Sequence, residues 1–420
     1  ALLLGASVVS CGGKFSAKIE NTEKDAPLIG KATVNVENGI MTPEVLYSFG
    51  RVSDVQVSPD KSKVLYGVTY VSIEQNKTNR ELFTMNIDGS DKKQITQTAK
   101  SENNAVWIKG GTKIAFLSSE SGSSQIWEMN PDGTERMQIS EIEGGVNGFS
   151  YSPDEKKILY IKNIKFGERT ADKYPDLPKA SGRIIDDLMY KHWSEWVEEI
   201  PHSFVADYDG TKMTEGIDIL GDEPYECPML PFGGTEQLAW SPDSKSIAYT
   251  CRKKKGMEYA LSTNSDIYLY NIDTKETKNL TEGMMGYDIN PVFSPDGKYI
   301  AWQSMERDGY ESDKNRMFVM NLATNDKIYV TEKFDYNTDY LAWNDNESIY
   351  FVSCVEAKTH IFKAFVHTKE INRITKGDYD YESFGIAGDK LIATRHSLSA
   401  PNEIYSVNTT NGEATESVSY

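Results

Sequence analysis

A short phrase recurs along the chain and limits the fold more than any other feature. Ser-Pro-Asp follows an apolar or aromatic residue and precedes an alternating run at four places, beginning at Val57, Tyr151, Trp240 and Phe293. Proline fixes φ at the first turn position, and aspartate hydrogen-bonds back to the backbone. Each copy therefore predicts a strand, a tight turn and a second strand.

Weaker copies of the same unit fill the gaps, which gives seven units. They are Trp107-Ile-Lys-Gly110, Trp343-Asn-Asp-Asn346 and Ile386-Ala-Gly-Asp389. A third apolar strand follows each turn, and a fourth, edge strand often closes with a pair such as Ile95-Thr96. Four strands per unit, at a period of roughly 45 to 50 residues, are typical of a propeller blade. We predict an all-β fold: a seven-bladed β-propeller of four-stranded antiparallel blades over residues 51–420.

The third blade is about 35 residues too long for this period. We assign the excess to a partly helical insert at about 164–201. Within it, apolar residues recur at helical spacing from Ile184 to Val197, which predicts a helix with a packed apolar face.

The residues before the first blade fall into two parts. In residues 12–50 a short helix is expected, because Thr42 is a good N-cap and Pro43 suits the first helical position. Residues 31–36 could form a strand that closes the ring, or could pack elsewhere.

Residues 1–11 read as the remnant of a secretory signal, and Val8-Val-Ser-Cys11 resembles a bacterial lipobox. A chance apolar start is the alternative. Lipidation of Cys11 would make a lipid anchor the chain's only membrane contact and would place it in the cell envelope, in the periplasm.

Charge and cysteine spacing exclude several classes of function. The chain has 45 basic and 63 acidic residues, a net charge of -18, and no basic run apart from Arg252-Lys-Lys-Lys255, so a nucleic-acid partner is not expected. Cys227, Cys251 and Cys354 lack metal-ligand spacing, and neither a metal nor a cofactor is predicted. We expect buried thiols, with a Cys227 to Cys251 disulfide left open.

Several segments together resemble the propeller of prolyl oligopeptidase family serine peptidases, in the bacterial dipeptidyl and acylaminoacyl branch. They are Met41-Thr-Pro-Glu-Val-Leu46, Arg51-Val-Ser-Asp54, Leu188-Met-Tyr-Lys-His-Trp193 and His202-Ser-Phe-Val205. The resemblance covers Met41 to Tyr420 and implies an α/β-hydrolase domain with a Ser-Asp-His triad. No Gly-x-Ser-x-Gly nucleophile elbow occurs in the sequence. We therefore expect that the hydrolase domain is missing, that both ends are truncated, and that this chain carries no catalytic residue.

The resemblance also suggests how a substrate is held. In dipeptidyl members, a Glu pair following a Trp binds the free α-ammonium of the peptide, and Trp196-Val-Glu198-Glu199 is similar, with one residue fewer in the spacing. A carboxylate suits this role because its hydrogen bond to an ammonium discriminates against blocked peptides. Glu195 is a second candidate. Alternatively, all three carboxylates belong to a solvated face.

Four further residues of the insert and its flank could support substrate binding. They are His192, Trp193, Trp196 and His202.

Two functions compete at this point. The first is a non-catalytic propeller portion of a cell-envelope serine exopeptidase, which gates access and helps to bind the peptide N-terminus. Its partners would be a peptide with a free N-terminus and the missing hydrolase domain. The alternative is a stand-alone periplasmic propeller of the TolB type, acting as a binding scaffold. The insert favours the first, because a pure scaffold does not require an arm in a single blade.

Overall fold

Residues 27–418 are described by the computed structural model, and they contain seven four-stranded antiparallel sheets arranged as blades. Each blade uses one continuous stretch of chain. The first strands of most neighbouring blades contact one another, so these strands line the centre of the ring. The predicted seven-bladed propeller is therefore confirmed.

The first three blades contain the longest strands of the molecule and a separate small hairpin. Their strands are β1 (Arg51–Val57), β2 (Lys63–Ser72), β3 (Lys77–Asn86), β4 (Lys93–Gln94), β5 (Asn103–Ile108), β6 (Lys113–Ser118), β7 (Gln125–Met129), β8 (Met137–Gln138), β9 (Gly148–Tyr151), β10 (Lys157–Lys165), the hairpin strands β11 (Lys191–His192) and β12 (Glu195–Trp196), β13 (Glu199–Asp207) and β14 (Ile217–Asp218). Blade three has the order β14-β13-β10-β9, so the hairpin stands outside its sheet.

Blades four to seven follow the same plan without a second hairpin. Their strands are β15 (Leu238–Trp240), β16 (Ser246–Cys251), β17 (Asp266–Asn271), β18 (Thr277–Asn279), β19 (Asp288–Phe293), β20 (Tyr299–Ser304), β21 (Arg316–Asn321), β22 (Lys327–Tyr329), β23 (Asp339–Trp343), β24 (Ser348–Val355), β25 (Lys358–Phe365), β26 (Ile371–Arg373), β27 (Asp380–Ala387), β28 (Lys390–Ser397), β29 (Ala400–Asn408) and β30 (Ala414–Val418). The helices are α1 (Pro43–Ser48), α2 (Thr170–Lys173) and α3 (Gly256–Leu261), with 3₁₀ turns at Lys109–Gly111 and Thr235–Gln237.

The core is divided among the interfaces between blades. Within residues 27–418, seven apolar clusters occur, and each joins two neighbouring blades. Strand β24 shows the reason, because Ile349 and Phe351 pack towards blade five while Tyr350 and Val352 pack towards blade seven. Alternate side chains point to opposite faces of a strand, so a strand buried on both faces is apolar throughout.

Stacked aromatic pairs recur at the centre of the blades, between the second and third strands. Five such pairs have ring centroids 5.4–5.8 Å apart and interplanar angles of 19–23°. They are Tyr66 with Phe83, Tyr160 with Phe204, Tyr249 with Tyr268, Trp302 with Phe318, and Phe351 with Phe362. Directly opposed aromatic side chains stabilise a strand pair beyond the area that they bury.

The four Ser-Pro-Asp turns share one hydrogen-bond pattern. In the first, the Ser58 hydroxyl donates to Asp60 Oδ1 at 2.6 Å and accepts from the Lys63 N–H at 2.9 Å. The equivalent serine bonds occur at Ser152, Ser241 and Ser294. Hydrogen bonds from the Ser58 and Ser62 hydroxyls and from the Ser62 N–H lower the pKa of Asp60 to about 2. The repeated phrase is thus a self-contained turn that joins the first two strands of a blade.

In the part of the chain that the structure describes, apolar packing rather than a shared strand closes the ring. Blade seven consists of β27, β28, β29 and β30 alone, and residues 31–36 form no strand. Val52 and Val55 of blade one share a buried cluster with Ile392, Ile404 and Val418 of blade seven. The possibility of a closing strand at residues 31–36 is therefore ruled out.

The insert differs from its prediction. The connection from β10 to β13 comprises residues 166–198, yet the helix expected from Ile184 to Val197 is wrong. The chain forms the β11–β12 hairpin there, and only the four-residue α2 is helical. Met189 at φ +65° and Trp193 at φ +49° have left-handed backbone, which interrupts a right-handed helix. Leu188 and Trp193 are exposed rather than packed.

The N-terminal expectations are only partly covered by the structure. Residues 1–11, with Cys11, lie outside the described residues. The short helix is present as α1, and its first turn is capped by Thr42, whose Oγ1 accepts from the Val45 N–H at 3.3 Å. In residues 27–418 no helix has the length and apolar character needed to cross a membrane.

The described cysteines are free thiols. Cys227 and Cys251 are buried as expected, whereas Cys354 is exposed, so the prediction of a buried thiol is wrong there. Cys354 lies near the end of β24, where alternate side chains no longer meet a neighbouring blade.

Candidate functional site

Three long connections meet on one face of the ring. Equivalent loops of antiparallel blades emerge on the same side, and the loops between second and third strands are extended in blades three (166–198), four (252–265) and five (305–315). Beside them runs the linker from blade three to blade four, residues 219–237. Together they enclose a cavity of about 460 Å³, here called the loop-face cleft.

The walls of the loop-face cleft are aromatic and charged. Phe232, Tyr259 and Tyr287 contribute rings, while Arg252, Glu311 and His192 contribute polar groups. A concave, mainly apolar cavity with a few convergent polar groups is the usual form of a binding site for small ligands.

A buried carboxylate, Glu226, ties three of these walls together. Glu226 Oε1 lies 2.6 Å from His192 Nε2 of the hairpin. Its Oε2 accepts from the Tyr259 hydroxyl at 2.7 Å and from the Leu230 N–H at 3.3 Å. Burial, together with Glu226, raises the pKa of Tyr259. The insert, α3 and the blade linker are therefore fixed relative to one another.

The tip of the hairpin leans on the linker. The Trp193 ring meets the Phe232 ring edge to face, with centroids 4.9 Å apart. Both side chains are more than two thirds exposed, at 75% and 71%. This contact places an exposed aromatic pair beside the cleft.

The three candidate amine-binding carboxylates occupy different surroundings. Glu198 Oε1 accepts from Arg183 Nε at 3.0 Å, and Glu199 Oε1 accepts from Arg169 at 3.2 Å. Glu195 accepts a bond from the Ser194 hydroxyl, and no described cation forms an ion pair with it. Two of the three carboxylates are thus neutralised by arginines of the insert, and the amine-binding role stays a prediction.

A second, smaller cavity lies within the insert itself. It measures about 310 Å³ and is lined by Glu198 and Trp196, among others. The Trp196 ring is held between two cations, with Arg183 Cζ at 4.2 Å and Lys191 Nζ at 4.3 Å from its centroid. Glu198 and Trp196 therefore belong to this cavity rather than to the loop-face cleft.

His202 lies apart from the other candidates. It is fully buried in β13, where its Nδ1 lies 2.7 Å from Asp218 Oδ2 of β14. Of the predicted residues, His192 lines the loop-face cleft and Trp193 flanks it. The structure does not bring His202, Glu195 or Glu199 to that cleft.

Several cleft residues were not predicted from the sequence. Arg252, Glu311, Tyr259, Tyr287 and the buried Glu226 come from four segments that meet only through the ring. The basic run beginning at Arg252 was a visible signal, although nothing local indicated that its first residue faces a cleft.

A buried acid lies directly behind Tyr287. Asp288 is fully buried, and its Oδ1 accepts from Trp302 Nε1 at 2.8 Å. Burial raises the pKa of Asp288 from 3.8 to about 7.

Residues 27–418 contain no group of three or more His, Cys, Asp or Glu side chains that could hold a metal ion.

The fold is a β-propeller whose loops, rather than its strands, supply most of the walls of the loop-face cleft. The model of the TolB beta propeller domain family matches residues 44–177 and 232–419. The chain belongs to this family. The unmatched residues 178–231 contain the hairpin and most of the linker, which form part of the cleft wall.

Curated relatives are named as peptidases. The chain is 52% identical over 395 residues to the dipeptidyl-peptidase 5 of Porphyromonas gingivalis, covering 93% of this chain and 58% of the relative. It is 46% identical over 380 residues to the dipeptidyl-peptidase 5 of Porphyromonas endodontalis, covering 90% and 55%. The chain thus spans about half the length of the curated relatives it matches.

Solved structures share the fold. The acylaminoacyl peptidase of Pyrococcus horikoshii superposes with a TM-score of 0.68 at 18% identity, over 89% of this chain and 53% of that one. The propeller domain of the Trilobed protease from Pyrococcus furiosus, described as having an open velcro topology, gives 0.59 at 15% identity, over 89% and 99%. The predicted resemblance to propellers of this peptidase family is confirmed.

Proposed function

We propose that the chain is the propeller portion of a serine exopeptidase of the dipeptidyl or acylaminoacyl type. The observation that carries the proposal is the 52% identity to a protein named dipeptidyl-peptidase 5 over 93% of the chain. The nucleophile would lie on an α/β-hydrolase domain outside this sequence, because the 420 residues contain no nucleophile elbow. The propeller would gate access to that domain and help to bind the peptide N-terminus.

The loop face supports the binding part of this proposal. Long loops on a rigid scaffold are a common location for binding residues. Here they come from three adjacent blades and are tied together by Glu226. The exposed Trp193 and Phe232 pair supports the gating part, because Phe232 lines the cleft and Trp193 packs against it at the edge of the cavity.

The carboxylates of the insert are the proposed amine-binding groups. Glu195 has no cationic partner among the described residues, so it is available to a substrate ammonium. Glu198 and Glu199 would have to exchange their bonds to Arg183 and Arg169 for bonds to the substrate. Arg183 and Arg169 compete with the substrate ammonium for these two carboxylates.

The test uses the full-length parent enzyme with Glu195→Gln, Glu198→Gln and Glu199→Gln made singly. We expect kcat/KM for a free-amine dipeptidyl substrate to fall about tenfold or more in the variant that loses the anchor, with little change for the N-acetylated substrate. Glu276→Gln, an exposed change in blade four, is the matched control. Unchanged ratios of the two substrates in all three variants would show that the insert carboxylates do not bind the amine.

The proposal includes a periplasmic, lipid-anchored location in the cell envelope. Its support is the sequence Val8-Val-Ser-Cys11 alone. Labelling of the parent protein with a fatty-acid analogue should be abolished by Cys11→Ala, and labelling that persists in this variant would contradict the anchor.

A stand-alone binding scaffold of the TolB type is the second candidate. The match to the TolB beta propeller domain model favours it. The gene distinguishes the two: an open reading frame continuing past Tyr420 into a Gly-x-Ser-x-Gly motif supports the peptidase, whereas a stop codon there supports the scaffold.

A further inference from the structure

The loop-face cleft contains a cation without an acidic partner. Arg252 is half buried at the end of β16, with its Cζ 4.7 Å from the Tyr259 ring centroid and 5.9 Å from that of Tyr287. Its Nε is shielded from solvent and has no acceptor, and no described carboxylate forms an ion pair with it. The next residue, Lys253, is paired with Glu223 at 2.9 Å. The neighbouring lysine is therefore neutralised by an acid, whereas the Arg252 guanidinium is not, and Arg252 lines the cleft.

The same cleft contains an acid without a basic partner. Glu311 is exposed on the blade-five loop and forms no ion pair with a described residue. Two residues on, Asp313 is paired with Arg307. Tyr287 lies near both unpaired charges: burial raises the pKa of its phenol, Arg252 lowers it and Glu311 raises it. A free cation and a free anion therefore share one cavity.

The size and walls of the cavity restrict what can fill it. At about 460 Å³ it has room for one or two amino-acid residues, within the usual range for ligand sites. Phe232, Met305 and Leu230 supply apolar surface in the same cavity. A ligand with an ammonium, a neighbouring oxygen acceptor and an apolar side chain satisfies all of these groups at once.

The cleft is also preorganised. Glu226 is 1% exposed and holds His192, Tyr259 and the Leu230 backbone. The Arg252 guanidinium lies over the Tyr259 ring, so it loses little freedom when a ligand binds. Binding does not require the walls to assemble first.

We propose that the loop-face cleft is a peptide-binding site in its own right, separate from the insert cavity. Arg252 donates hydrogen bonds to a peptide oxygen, Glu311 pairs with the peptide ammonium, and the aromatic walls take an apolar side chain. The choice of a peptide as the ligand rests on the proposed function. The oxygen can be a main-chain carbonyl or the C-terminal carboxylate, since both are planar acceptors that suit a guanidinium.

The experiment measures binding to the 420-residue protein by calorimetry. The probes are Leu-Phe amide, Leu-Phe free acid and N-acetyl-Leu-Phe amide. We expect Arg252→Met to weaken binding of the free acid about tenfold, and Glu311→Gln to remove the preference for the free amine over the acetylated probe. Lys255→Met and Glu258→Gln carry the same charge changes on the adjoining loop outside the cleft, and should bind like the wild type.

The probes separate the two sources of oxygen. Equal losses for amide and free acid in Arg252→Met identify a main-chain carbonyl, and a loss confined to the free acid identifies the C-terminal carboxylate. Unchanged thermal unfolding of the variants shows that they fold.

Wild-type affinities in both Arg252→Met and Glu311→Gln, or no binding of any probe by the wild type, would overturn the cleft proposal. The proposed function would survive either result if the full-length enzyme releases dipeptides and the insert variants alter its amine preference. Absence of dipeptide release with intact cleft binding would instead refute the proposed function alone.

Discussion

Glu226 and Asp288 are buried carboxyl groups at the loop face, and their surroundings differ in one respect. Glu226 has hydrogen-bond partners on both oxygens. Trp302 donates to Asp288 Oδ1, while Asp288 Oδ2 is buried and accepts no hydrogen bond of good geometry. A buried oxygen that lacks a donor disfavours the ionised carboxylate. Glu226 therefore acts as a fixed point of the cleft, whereas Asp288 couples the stability of the fold to pH.

The raised pKa of Asp288 predicts a pH-dependent stability. The folded protein keeps a proton that the unfolded chain releases, so this contribution is fully present below the ordinary pKa of 3.8 and is lost as pH rises through about 7. Asp288→Asn keeps the acceptor for Trp302 and cannot ionise. We expect it to unfold with a free energy higher than the wild type by on the order of 2 kcal/mol at pH 8, and to differ little at pH 4.

Urea denaturation of both proteins at the two pH values measures this difference. Glu102, whose pKa burial also raises to about 7, is present in both proteins and cancels in the comparison. The same offset between variant and wild type at pH 4 and pH 8 would contradict the prediction.

At the scale of elements, local chemistry made some structures predictable and others not. The Ser-Pro-Asp turns are predictable because the serine hydroxyl bonds that all four turns share join residues within five positions, as at Ser58 and Lys63. The hairpin is not predictable from local sequence, because the hydrogen bond that anchors it joins His192 to Glu226, which is 34 positions away. Helical spacing of apolar residues describes a helix only if a surface is available to bury them, and Leu188 and Trp193 stay exposed.

The difference between local and long-range contacts also explains which residues of the candidate site were predicted. The acidic, aromatic composition of the insert was visible in the sequence, and His192 does reach the loop-face cleft. Arg252 and Glu311 were not foreseen, because they lie on loops of different blades and meet only once the ring exists.

The hairpin's dependence on Glu226 is testable. Glu226→Ala removes the acceptor for His192, Tyr259 and Leu230 N–H, so we expect the free energy of unfolding to fall by about 3 kcal/mol. Trypsin should cleave the hairpin at Lys191 several-fold faster in the native protein, because local opening becomes easier. Limited proteolysis followed by mass spectrometry gives the rate.

Glu195→Gln is the matched control, since it changes the same hairpin without touching its anchor. A cleavage rate at Lys191 that is equal in wild type and Glu226→Ala would show that the hairpin is held by other contacts.

For the whole molecule, the distribution of the core matters more than its size. Each described interface between blades has its own apolar cluster, and the interface between blades seven and one is no exception. Among residues 27–418, no hydrogen-bonded strand crosses that interface. Because burial of apolar area is non-directional, side-chain packing can close the ring without a shared sheet.

Two matched substitutions test this closure. Val55 is 3% exposed at the interface of blades seven and one, and Val352 is 4% exposed at the interface of blades six and seven. We expect Val55→Ala and Val352→Ala to lower the free energy of unfolding by similar amounts, about 2 kcal/mol each. Denaturant unfolding measures both.

Hydrogen exchange of β1 and β27 locates any local opening. A much smaller cost for Val55→Ala, or separate unfolding of blade seven in the wild type, would show that this interface contributes little to the closed ring.

The absence of a shared strand has a practical consequence for protein engineering. Since every blade is encoded by one uninterrupted segment, a gene could be recut at any boundary between blades without dividing a sheet. Val52 and Val418 already pack in the same cluster, so a short linker could join the two present ends of the ring. A circularly permuted chain that begins at blade five would then present the hairpin, Arg252 and Glu311 in an unchanged arrangement. Its new termini would lie between blades four and five. Such a chain would allow a reporter domain to be attached beside the loop-face cleft.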